Sequence, residues 1–116
     1  MAITSEIIGK LGGAGATEIP ISATGLSGSS TNHRLATVES SGRTLVVVDL
    51  NITNASSSAT YQPRIYIGDT DYGKTGTGEV KIFEIVNTDI DIEVTTYSTT
   101  SGNRVDLHGH VYAVKL

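Results

Sequence analysis

The sequence predicts an all-β protein, an antiparallel sandwich or barrel of about seven or eight strands with an N-terminal arm, a jelly roll being one form open to it. Three observations carry this. Apolar and polar residues alternate with period two along most of the chain, as half-buried strands require. Threonine, valine and isoleucine dominate, and branching at Cβ stiffens χ1 and favours a pleated backbone. Polar turn signals recur between the alternating segments at the spacing of a sandwich or barrel.

The elements follow in order. Residues 1–15 are expected to form an arm and residues 16–116 a single sandwich domain. Ile7, Ile8 and Leu11 fit either a helical turn or an edge strand, and Gly12-Gly13-Ala14-Gly15 supplies a hinge. Such an arm can reach a neighbouring subunit or simply fray. Short strands are expected at residues 18–23 and 34–38, with turn signals over 24–30 between them. Thr44–Asn54 alternates most clearly: Val46, Val48, Leu50 and Ile52 point one way, Asp49, Asn51 and Thr53 the other. Strands are also expected at Arg64–Ile67, 79–86, 89–97 and 104–116, and residues 68–78 are expected to be a loop.

Two segments are apolar on both faces. Leu45 and Val47 oppose Val46 and Val48, and Tyr112, Val114 and Leu116 oppose Val111 and Ala113. A strand of this kind is either sandwiched inside or covered by a partner. A subunit interface is therefore expected to draw on Leu45, Val47, Tyr112, Val114 and Leu116, together with Ile3, Ile7, Ile8 and Leu11 of the arm.

Size and composition narrow the function. The chain has 116 residues, enough to bury a core without a staple. It contains no cysteine, which excludes disulfides and thiolate metal sites. The net charge is −4, and the eight basic residues are scattered singly. Nucleic-acid binders usually show a basic patch, so none is expected as a partner. Residues 1–13 lack the basic cluster and apolar core of a secretion signal. Apolar runs such as residues 45–48 fall far short of a membrane span, so no membrane association is expected.

The most tempting motif is Gly68-Asp69-Thr70-Asp71-Tyr72-Gly73-Lys74-Thr75, which matches the phosphate-loop pattern letter for letter. A phosphate loop must open a helix, whose N-terminal amides bind the phosphates. Here Gly76, Thr77 and Gly78 follow and then a strand, and two aspartates would repel a triphosphate. Asp69 and Asp71 also hint at calcium, but Gly73, Lys74 and Val80 stand where an EF-hand needs a ligand, a glycine and a glutamate. A looser calcium site built from Asp69 and Asp71 stays open.

Asp89, Asp91 and Glu93 should share one strand face, and the shortage of aromatic residues favours a solvated face over a glycosidase cleft. His108 and His110 fall on one face of the last strand, at the spacing that cupin-type barrels use for two metal ligands. The glutamate and third histidine of that motif are missing downstream, which leaves only His33. Asn51-Ile52-Thr53 and Asn54-Ala55-Ser56 are glycosylation sequons that matter only on a secretory route. With no nucleophile elbow and serines concentrated in turns, neither catalysis nor a cofactor is expected.

The opening Met1-Ala2-Ile3-Thr4-Ser5-Glu6-Ile7-Ile8-Gly9-Lys10-Leu11-Gly12-Gly13, the Ser/Thr/Gly-rich body and the ending inside a strand at Val114-Lys115-Leu116 resemble small virion proteins of tailed bacteriophages, of the capsid decoration (cement) or minor head and tail type. The likeness covers the whole chain as a style and carries over no functional residue. It implies a homo-oligomer, most often a trimer, that binds the major capsid protein or another virion protein, assembles in the host cytoplasm and ends in the virion. The other expectation is a β-sandwich recognition module for carbohydrate or a cell surface, using loops around residues 61–74 and assisted by calcium at Asp69 and Asp71.

Overall fold

A computed structural model describes residues 16–116; the expected arm, with Ile3, Ile7, Ile8 and Leu11, lies outside the described residues. Eight strands follow one another: β1 (Ala16–Leu26), β2 (Gly28–Val38), β3 (Thr44–Asn54), β4 (Arg64–Ile67), β5 (Thr70–Lys74), β6 (Gly78–Val86), β7 (Ile90–Ser98) and β8 (Val105–Lys115). A 3₁₀ turn at Ser101–Asn103 joins the last two.

The pairing has a simple rule. β1 pairs with β8, β2 with β7, β3 with β6 and β4 with β5, all antiparallel. The chain is thus one long hairpin of four strand pairs. Rolling it adds the ladders β3–β8 and β4–β7 and produces two sheets, ordered β1-β8-β3-β6 and β2-β7-β4-β5. This is the jelly-roll arrangement, a two-sheet sandwich and not a closed barrel.

The core lies between the sheets. Val46, Val48, Leu50 and Ile52 of β3 meet Ile65 and Ile67 of β4 and Ile92 and Val94 of β7, all fully buried. Alternation puts them on one side of each strand, and the hydrophobic effect holds that side against its counterpart. Pro20 interrupts β1 without harm, because β1 is an edge strand and needs ladder bonds on one side only.

Two expectations need correcting. Residues 24–30 are not a separate turn: β1 runs to Leu26, β2 starts at Gly28, and only Ser27 divides them. The chain crosses between sheets through register shifts at Ala23/Leu26 and Gly28/Thr31, with Gly25 (φ +68°) and Ser30 (φ +53°) supplying the bend. Residues 68–78 are not one loop, because Thr70–Lys74 is strand β5. Gly68-Asp69 is the two-residue hairpin between β4 and β5, and Gly68 has φ +56° at the first central position, as a type II′ turn requires. β5 has no buried residue, so no apolar alternation marked it.

Candidate functional site

The two outer faces of the sandwich differ in chemistry. On the sheet β1-β8-β3-β6, antiparallel register sets outward residues in rows across the strands. Val114, Leu45 and Ile85 form one row, and Tyr112, Val47 and Phe83 the next. The third row is His110, Asp49 and Lys81, and the fourth His108, Asn51 and Glu79. Half the face is therefore apolar and half polar.

Within the apolar half, Val47, Tyr112 and Val114 form a cluster separate from the main core, with Leu45 packed against it. Val47 and Val114 are 0% exposed and Tyr112 is 6% exposed. The apolar surface left open lies beside them: Phe83 is 46% exposed, Ile85 47% and Leu116 54%. Leu45 is half-buried. Phe83 and Ile85 were not singled out from the sequence. The available signal was that Val80, Ile82, Phe83 and Ile85 place apolar groups on both faces of one edge strand. At the border of the patch, His110 Nε2 lies 3.1 Å from Glu18 Oε1, and its ring centroid is 5.8 Å from that of Tyr112.

The outer face of β2-β7-β4-β5 is polar. Asn32, Thr95 and Arg64 form one row and Arg34, Glu93, Tyr66 and Asp71 the next. Ser30, Asn32, Glu93, Thr95, Tyr66 and Tyr97, with Gly68 and Asp69 of the hairpin turn, line a cleft of about 480 Å³. Thr95 Oγ1 donates to Asn32 Oδ1 at 2.6 Å, which orients the amide. Desolvation, then the negative charge of Asp71 and the neighbouring Tyr97 phenol, push the Tyr66 hydroxyl above its ordinary pKa. Tyr66, Gly68 and Asp69 fall within residues 61–74, where a carbohydrate-binding loop was one expectation, whereas Ser30 and Asn32 of β2 and the β7 residues Glu93, Thr95 and Tyr97 were not tied to that segment, because they are distant from it along the chain.

The motifs find other uses. Lys74 Nζ donates to the Ala59 carbonyl at 2.6 Å, and the Thr75 amide donates to the Pro63 carbonyl at 2.9 Å. The phosphate-loop look-alike is thus a hairpin and the turn after it, leading into β6 and not a helix. Asp71 makes a 2.8 Å ion pair with Arg64 and accepts the Gly73 amide at 2.7 Å, while Asp69 lines the cleft. The two aspartates accordingly face different partners.

His108 and His110 point outward from the sheet, away from the space between the layers, and His33 sits in the other sheet, 2.9 Å from Thr96 Oγ1. Of the carboxylates expected on one face, Asp91 and Glu93 do share the outward face of β7, while Asp89 lies just before the strand. Asp89 accepts the Ser40 amide, Asp91 accepts from Thr37 Oγ1, and Glu93 lines the cleft. No group of three or more metal-ligating side chains comes together among the described residues.

No protein-family model matches the chain, and no curated protein or solved structure matches it either.

Proposed function

We propose that this protein is a non-enzymatic virion structural subunit, a capsid decoration (cement) protein that joins copies of itself, as a trimer, and binds an assembled head. The observation that carries the reading is the apolar half-face of β8-β3-β6, which ends in Phe83 and Ile85 exposed on an edge strand. Two large apolar side chains at the open edge of a patch are surface that a soluble chain gains by covering. The interface in this reading comprises Leu45, Val47, Tyr112, Val114 and Leu116, extended by Phe83 and Ile85, with Ile3, Ile7, Ile8 and Leu11 of the N-terminal segment contributing.

The fold supports the reading by analogy: jelly rolls recur in viral capsids, and many functions share the architecture. Rigid strands suit a subunit that acts by shape. Many weak contacts on a repeating lattice hold such a protein without a single strong site.

Solution mass by light scattering across a concentration range tests the oligomer. A trimer whose mass does not change on dilution supports the reading. A strict monomer at high concentration overturns the self-assembly that the reading requires.

A further inference from the structure

The cleft on the opposite sheet has no task in that reading. We propose that it binds a neutral carbohydrate. Its volume of about 480 Å³ lies within the range of small-ligand sites, roughly 300–1,000 Å³.

The lining offers both halves of a hydroxyl's hydrogen-bonding capacity. Glu93 and Asp69 are acceptors. Because Asn32 Oδ1 takes the Thr95 hydroxyl, the amide NH₂ remains as a donor. Tyr66 and Tyr97 add phenol hydroxyls and ring surface, the combination that suits a ligand with polar edges and apolar faces. Ser30, the one non-glycine residue at positive φ among the described residues, also lines the cleft, and such backbone outliers gather at ligand sites.

Charge sets the class of ligand. No lysine, arginine or histidine lines the cleft. The nearby Arg64 is held by Asp71 at 2.8 Å. Two carboxylates with no cation among the lining side chains disfavour phosphate, sulfate and acidic sugars, and accept strongly from neutral hydroxyls. A calcium ion would want six to eight oxygen ligands, and Asp71 is already engaged with Arg64 and the Gly73 amide. A polyhydroxylated neutral ligand fits the lining better than either kind of ion.

The site is independent of the assembly surface, because the outer faces of a sandwich look in opposite directions. A subunit anchored through β8-β3-β6 would display the cleft outward, where copies on a lattice gain avidity.

The test is a printed array of neutral, sialylated and sulfated glycans probed with the labelled full chain, with and without EDTA. Neutral glycans should bind in both conditions. With each variant melting within a few degrees of the parent, Glu93→Ala should weaken that binding at least about tenfold, the scale of a hydrogen bond to a charged group, and Asn32→Ala about fivefold, the scale of a neutral one. The double variant F83S/I85S should still bind, which separates this site from the proposed interface. Binding to no neutral glycan, binding only to acidic ones, loss with EDTA, or full binding by the folded Asn32 and Glu93 variants would each overturn the proposal.

Discussion

Val47 and Phe83 are register partners across the β3–β6 ladder, and one is wholly buried while the other is 46% exposed. The step occurs within one row of one sheet face, so the apolar patch opens toward the β6 edge. Replacing both Phe83 and Ile85 by serine should leave the fold intact, because both already face solvent in part. We expect a stability change below about 1.5 kcal/mol, less than for buried side chains. Self-association should fall sharply in light scattering. Association unchanged in the double variant would place the interface elsewhere.

β1 enters the ladder at Ala16, opposite Val114, at the apolar end of the same face. The segment that precedes it in the chain carries Ile3, Ile7, Ile8 and Leu11. Deleting residues 1–13 removes these four apolar side chains from the proposed interface. The expected result is self-association weaker by at least about tenfold in light scattering, the scale of one lost apolar anchor. Unchanged association of the shortened chain would take the segment out of the interface.

Gly109 pairs with Leu50 and Ile21 inside β8, at φ +148°. A Cβ there would run into the Asp49 carbonyl oxygen and lie 2.9 Å from Leu50 Cα, both backbone atoms that cannot swing aside. Gly109→Ala should therefore lose about 2–4 kcal/mol, combining a strained backbone with overpacking. Gly102→Ala, with open space at its Cβ, should melt close to the parent. Comparable melting of the two variants would contradict the close approach of β8 to β3.

Tyr66 titrates above the ordinary tyrosine range because of desolvation first and Asp71 second. Asp71→Asn should bring its midpoint down part of the way, since desolvation persists and Arg64 then acts without its partner. Ultraviolet titration of the parent and the variant, each compared with Tyr66→Phe, reads this directly. The sign for stability follows from the raised pKa. The neutral phenol is favoured in the folded state, so its contribution is complete below the unfolded tyrosine pKa and disappears as pH rises through the folded one. A Tyr66 midpoint that stays put in the Asp71 variant would remove the carboxylate as a cause.

Strand identity was legible wherever one side of a strand is buried. Thr44–Asn54 and Arg64–Ile67 fall where alternation put them, because burial on one side imposes period two on the sequence. β5 was illegible for the opposite reason: it is an exposed edge held by main-chain bonds to β4 and by Asp71 with Arg64, and none of these requires an apolar residue. The corner at residues 24–30 looked like a turn because bends inside a ladder use the same glycine and serine residues as loops do. The cleft left a partial signal: residues 61–74 were expected to hold a ligand, but nothing local in the sequence shows that Asn32 of β2 and Glu93, Thr95 and Tyr97 of β7 lie beside Tyr66 and Asp69.

By itself the sequence determined the class of the fold, the inward and outward sides of its long strands, and the absence of thiol chemistry. Each follows from local stereochemistry or from composition, which do not depend on distant parts of the chain. Only the tertiary structure decided that β8, β3 and β6 lie side by side, so that Val114, Leu45 and Ile85 join Tyr112, Val47 and Phe83 in one patch. It also brought Asn32, Tyr66 and Glu93 around one cleft. Strand order and register are set by pairings between residues far apart in the chain, made together when the two sheets close over a shared core, and no local window of sequence contains them.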